Sequence, residues 1–113
     1  MNCLFCQIAT GAIPTKLLYE DKDIIAFNDI APKAPHHILI IPRKHIETVN
    51  DLENADTELA GKMLLVAKKI AAELGISDAG FRLLMNCNRQ GGQVVYHIHL
   101  HLLGGRQMSA SMG

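Results

Sequence analysis

The sequence predicts an α+β domain: a five-stranded antiparallel sheet with one short and one long helix. Three observations lead there. Five short segments, at 17–20, 24–28, 37–42, 81–86 and 96–103, are rich in apolar and β-branched residues. One stretch, from Asp56 or Thr57 to Leu74, has helical apolar spacing. The connections at 21–23 and 87–93 are short and polar, as hairpins between antiparallel neighbours require. The 113 residues suit a single domain, 1–113, with enough chain to bury a core.

Leu4, Phe5, Ile8 and Ala9 repeat at helical spacing, and Gly11 supplies the stop. Leu17-Leu18-Tyr19-Glu20 and Ile24-Ile25-Ala26-Phe27-Asn28 read as strands joined by the turn Asp21-Lys22-Asp23. Pro32 and Pro35 exclude regular structure after Asp29. His37-Ile38-Leu39-Ile40-Ile41-Pro42 is nearly all apolar, as in a central strand covered on both faces. In the long helix Leu59, Met63, Val66, Ala67, Ile70, Ala71 and Leu74 form one stripe, Asn54 or Asp56 caps the start and Gly75 ends it. Phe81–Asn86 is the fourth strand, followed by the glycine-rich loop Cys87–Gln93 and a fifth strand over Tyr96–Leu103.

Composition excludes several classes. Charge is balanced at 11 basic and 11 acidic residues, so no concentrated positive field marks a nucleic-acid partner. No apolar run has membrane-spanning length, and the start lacks a signal-peptide pattern. Three cysteines in a chain without an export signal fit a reducing cytoplasm better than a disulfide framework.

The chemistry concentrates in Tyr96-His97-Ile98-His99-Leu100-His101-Leu102-Leu103, which holds three of the six histidines. Strand alternation puts His97, His99 and His101 on one face and Ile98, Leu100 and Leu102 on the other, with neighbouring histidines roughly 6–7 Å apart along the strand. Two chemistries use such a row. Three imidazoles bind a catalytic zinc. Alternatively, one imidazole attacks phosphorus while its neighbours hold phosphate oxygens and move protons. Residue types alone do not choose between them. Asp29, at a strand end, is placed to accept hydrogen bonds from a sugar diol. Cys3 and Cys6 form a C-x-x-C pair, half of a tetrahedral metal site, whose remaining ligands must come from elsewhere; His45 is a candidate.

The run His97-Ile98-His99-Leu100-His101-Leu102-Leu103 resembles the signature of the histidine triad family, in which three histidines alternate with apolar residues. Phe27-Asn28-Asp29-Ile30, Ala34–Pro42, Gly91-Gly92-Gln93 and Gly104-Gly105-Arg106-Gln107 are similar to the Hint branch of that family, so the resemblance covers nearly the whole chain. It implies a homodimer with a ten-stranded sheet shared by two subunits. It also implies binding of purine nucleoside monophosphates and hydrolysis of nucleoside phosphoramidates without a catalytic cofactor. Residue by residue, His99 matches the nucleophile, and His101 and His37 the supporting catalytic histidines. Asn86 and Gln93 match phosphate-side contacts, Asp29 the ribose-binding carboxylate, and Phe5, Ile8, Phe27 and Ile30 the apolar purine slot. Cys3, Cys6, His45 and His97 resemble a structural zinc quartet found in part of the superfamily.

Val94 stands where many Hint proteins have a serine near the leaving group, and the tail lacks a tryptophan that some relatives carry. Alternative readings are a dinucleoside polyphosphate hydrolase or nucleotidyl transferase of the same superfamily, a non-catalytic nucleotide-binding protein, and a zinc-dependent hydrolase.

Overall fold

A computed structural model describes residues 3–113. The elements are α1 (Leu4–Ala9), β1 (Leu17–Glu20), β2 (Ile24–Asn28), β3 (His36–Pro42), α2 (Thr57–Glu73), β4 (Phe81–Leu84) and β5 (Leu100–Gly104). Two 3-10 turns, Val49–Asp51 and Asn54–Asp56, lead into α2. The strands form one antiparallel sheet in the order β1-β2-β3-β5-β4, as the short polar connections predict.

Strand alternation sorts the central residues into two cores, one on each face of the sheet. Ile24, Ala26, Ile38, Ile40, Leu100 and Leu102 pack on the α2 stripe of Met63, Val66, Ala67, Ile70 and Ala71. Ile25, Phe27, Leu39 and Ile41 face the other way and are covered by Phe5 and Ile8 of α1. The sheet is thus buried on both sides, which explains the unbroken apolar run in β3.

Three local expectations need correction. The last strand does not begin at Tyr96: its ladder starts at Leu100, opposite Ile40. Continuing that register would bring Ile98 to Pro42, which has no N–H to give. The Ile98 N–H turns instead to the Ile46 carbonyl at 2.8 Å. β4 stops at Leu84, opposite His101, and in that register Asn86 lies past the start of β5. Asp56 sits at the N-cap of α2, but its carboxylate does not cap the helix. It accepts from the Glu53 N–H at 3.0 Å and from Lys44 Nζ at 2.7 Å, closing the preceding turn.

Candidate active site

The histidines lie on the α1 face, at the junction of β3, β5 and the segment entering β5. His37 pairs with Leu103 and His101 with Leu39 across the central ladder. The rings lean together: centroids are 4.9 Å apart for His99 and His101 and 5.2 Å for His37 and His101. His99 and His101 are closer than strand rise alone allows. Phe5 stands edge-on to His99, with centroids 5.1 Å apart and planes at 87°, and also meets Phe27 and His97.

Backbone groups of fixed polarity settle where each proton sits. His99 Nδ1 lies 2.8 Å from the His97 carbonyl, so Nδ1 carries the hydrogen and Nε2 the lone pair. The Lys33 N–H donates to His37 Nδ1 at 3.0 Å, so the hydrogen of neutral His37 is on Nε2. His37 Nε2 donates to His101 Nδ1 at 2.9 Å, and Asp29 Oδ2 is 3.5 Å from the same nitrogen. His101 therefore carries its hydrogen on Nε2. That atom is buried and has no hydrogen-bond partner. A buried unpaired donor is costly in a folded chain and marks a position meant for something else.

Burial lowers the pKa of all three imidazoles. For His99 it outweighs the Asp29 charge and the bond to the His97 carbonyl, and for His37 it likewise prevails over Asp29. For His101, burial and then the charges on His99 and His37 push the value down to about 4. At pH 7 these rings are neutral, and His99 Nε2 bears a lone pair rather than a proton.

His97 is set apart from these three. Its Nε2 donates to the Pro42 carbonyl at 2.7 Å, which turns Nδ1 toward the cysteines. Cys3 Sγ and Cys6 Sγ lie 3.4 and 3.5 Å from His97 Nδ1, and Cys6 Sγ lies 3.3 Å from His45 Nδ1. The His45 and His97 Nδ1 atoms are 3.3 Å apart. A tetrahedral zinc, with bonds of about 2.3 Å to sulfur and 2.0–2.1 Å to nitrogen, separates sulfur from nitrogen by about 3.5 Å and nitrogen from nitrogen by about 3.3 Å. The quartet matches these spacings, and the bond from His97 to Pro42 is the kind that orients a ligating imidazole. Burial, then the neighbouring Cys3 thiol, pushes the Cys6 thiol up to about 11, so two bare thiols gain nothing electrostatically from this arrangement.

Asp29, His37 and His101 also cluster with their ligand atoms within 4.8 Å of one another. Here the protons argue against a metal. Ligation through His37 Nε2 would force a hydrogen onto Nδ1, directly against the Lys33 N–H. This cluster is a hydrogen-bonded chain.

The other sequence candidates fall as follows. Asp29 Oδ1 is taken by the Ala31 N–H at 2.8 Å, leaving Oδ2 toward the histidines. Phe5, Ile8 and Phe27 are buried together, whereas Ile30 is 99% exposed and lies outside their cluster. Asn86 is half-buried. Gln93 is buried in contacts with the backbone. Its Nε2 donates to the Glu47 and Val95 carbonyls, and its Oε1 accepts from the Asn88 N–H. Both its donors are spent on holding the glycine-rich loop. Val94, next along, is 87% exposed. Sequence reasoning missed Lys33 and the Pro42 carbonyl, which act through the backbone and leave no side-chain signal.

The HIT domain family matches residues 10–108. The chain belongs to the HIT family. It is 51% identical over 105 residues to the protein named purine nucleoside phosphoramidase of Escherichia coli strain K12, a match covering 93% of this chain and 88% of that one. The HIT family hydrolase from Legionella pneumophila Philadelphia 1 superposes with a TM-score of 0.97 at 58% identity, covering 99% of this chain and 100% of the other. A histidine triad protein from Clostridium difficile superposes at 0.95 with 41% identity, covering 98% and 96%.

Proposed function

We propose that this chain hydrolyses purine nucleoside 5'-phosphoramidates to the nucleoside monophosphate and an amine, through a nucleotidyl group carried on His99. The observation that supports it best is the proton arrangement. His99 offers a bare Nε2, and beside it His101 holds a buried Nε2–H with no partner. The kinship with the E. coli phosphoramidase points the same way.

His99 Nε2 attacks the α-phosphorus in line with the P–N bond. The new N–P bond forms as the amine departs with the electron pair and takes a proton from solvent. The ring becomes positive, and its Nδ1–H on the His97 carbonyl stabilises that charge. His101 Nε2–H donates to a phosphate oxygen, where negative charge concentrates. Water then attacks phosphorus, His99 leaves as a neutral imidazole, and the surplus proton returns to solvent. Asp29 Oδ2 takes the ribose hydroxyls, Phe5, Ile8, Phe27 and Ile30 border the purine, and Asn86 flanks the phosphate. Gln93 serves by shaping the adjacent loop.

A structural zinc on Cys3, Cys6, His45 and His97 fits the donor spacing and takes no part in the steps. It would pin α1, and with it Phe5, to the segment carrying His99. A homodimer joined through the free edge of β4 would give the ten-stranded sheet, and three cysteines outside any disulfide suit a cytoplasmic setting. Among the described residues no helix is long and apolar enough to cross a membrane.

The test is release of AMP from an adenosine phosphoramidate by the unaltered protein, by His99→Ala, and by chelator-treated protein at saturating substrate. The reading requires release that survives chelation and is lost in His99→Ala. Faster cleavage of a diadenosine polyphosphate would instead favour the neighbouring branch of the superfamily. Saturable AMP binding without turnover would make the protein a binder.

A further inference from the structure

The loop between β2 and β3 carries Asp29 and leads into His37 near the start of β3, and it is gripped by a residue far along the chain. Within the loop, Asp29 Oδ1 accepts from the Ala31 N–H, and Lys33 Nζ donates to the Ala31 carbonyl at 2.9 Å. The Lys33 N–H meets His37 Nδ1 at 3.0 Å. The carbonyl of the same residue accepts from Arg106 Nη2, also at 3.0 Å. The remaining Arg106 contact is Nη1 to the Gln107 carbonyl at 3.2 Å. No carboxylate pairs with Arg106 among the described residues. An exposed guanidinium that bonds backbone carbonyls in place of an acid is acting on backbone position.

Gly105 independently docks the same two segments. Its φ is +92°, and a Cβ there would lie 2.9 Å from Pro35 Cβ and 3.2 Å from His36 Cδ2. Only glycine tolerates both that conformation and that approach. The turn after β5 is therefore seated against the loop, with Arg106 reaching across it.

What the grip controls is a choice of proton position. With the Lys33 N–H on His37 Nδ1, the His37 hydrogen is on Nε2, His101 Nδ1 is an acceptor, and His101 Nε2 is a donor. If residue 33 swings away, the His37 hydrogen is free to move to Nδ1. Its Nε2 then accepts, the His101 hydrogen moves to Nδ1, and His101 Nε2 loses its donor. The orientation of one residue decides whether His101 presents a hydrogen or a lone pair to the phosphate.

We propose that Arg106 is a positioning residue of the phosphoryl-transfer site: by holding the Lys33 carbonyl it keeps the Lys33 N–H on His37 and so fixes the His101 tautomer. This rests on the reading of His99 and His101 as the reacting pair. Arg82 is a matched control, since its Nη2 bonds the Ser109 carbonyl at 2.8 Å and the loop is not among its contacts.

The experiment records imidazole nitrogen–proton correlation spectra of the full chain, unaltered and as Arg106→Ala, Arg106→Lys and Arg82→Ala, alongside turnover of an adenosine phosphoramidate. In the unaltered chain, Arg106→Lys and Arg82→Ala, His37 and His101 are protonated at Nε2 and His99 at Nδ1. In Arg106→Ala, His37 and His101 become tautomer mixtures while His99 is unchanged. There kcat falls roughly threefold to tenfold, the scale of one ordinary hydrogen bond, and KM moves less than twofold. Arg106→Lys restores most of the loss. Unchanged tautomers in Arg106→Ala overturn the assignment whatever happens to kcat, and so does an equal loss in Arg82→Ala. If the unaltered protein turns over no phosphoramidate, the spectra still decide the role of Arg106, and it is the proposed reaction that fails.

Discussion

Removing metal should release α1 while leaving the sheet and α2 folded. Phe5 and Ile8 are 4% and 9% exposed, and their burial contributes about 3–6 kcal/mol together. The bonds Gln7 N–H to Cys3 O, Thr10 N–H to Cys6 O, Gly11 N–H to Ile8 O, Ile13 N–H to Gln7 O and Arg43 Nη1 to Ala9 O add about 1 kcal/mol each. Ordering residues 3–10 costs about 1–2 kcal/mol per residue, or about 8–16 kcal/mol. The segment is near balance by itself, so an ion that ligates Cys3 and Cys6 to the already placed His45 and His97 decides its state. The assay is hydrogen exchange with and without a strong chelator, and in Cys6→Ser. The amides of Gln7, Thr10 and Gly11 should lose protection, while those of Ile25, Ile40 and Leu102 keep theirs. Because Phe5 stands against His99, KM should rise several-fold with kcat nearly unchanged. Intact protection of α1 in metal-free protein would refute the reasoning.

Two further outcomes follow from particular contacts. Unfolded histidine binds a proton near pH 6.5, whereas folded His101 does so only at about 4. Between these values the unfolded chain holds more protons, so stability falls as pH drops through that window; His37 contributes in the same direction. The urea midpoint should decline from pH 7 to pH 4.5, less steeply in His101→Asn, and a flat midpoint would contradict the buried neutral rings. In Gly91→Ala the new Cβ overlaps the Cys87 carbonyl and lies 2.9 Å from the Cys87 nitrogen, so the loop held by Gln93 must open. A loss of about 1–3 kcal/mol in urea unfolding is expected, and a change under about 0.5 kcal/mol would show the loop to be slack.

What the sequence makes legible is whatever depends on periodicity and turn chemistry. The limits of β1 and β2 follow from the apolar pattern and from Asp21, whose Oδ1 accepts from the Asp23 and Ile24 N–H groups to close the turn. The α2 stripe reads directly as its buried face. The even spacing of His97, His99 and His101, in contrast, says nothing of their different roles. That difference arises because Pro42 offers a carbonyl and no N–H, which draws His97 toward the cysteines and ends the ladder before His99. The resemblance offers Gln93 as a phosphate-side contact, but the bond from its Nε2 to the distant Glu47 carbonyl has no signal in the sequence. Lys33 and Arg106 act on backbone atoms, which residue types do not encode.

The central claim, that His99 Nε2 carries the nucleotidyl group, is tested most directly by trapping it. The protein is mixed with an adenosine phosphoramidate and quenched in base during turnover. It is then cut with trypsin, and the peptide spanning residues 90–106 is sequenced by fragmentation mass spectrometry. The account predicts one added nucleotidyl group on His99, absent from His99→Ala. Steady AMP release with no adduct on that peptide, or an adduct on His101, would contradict it.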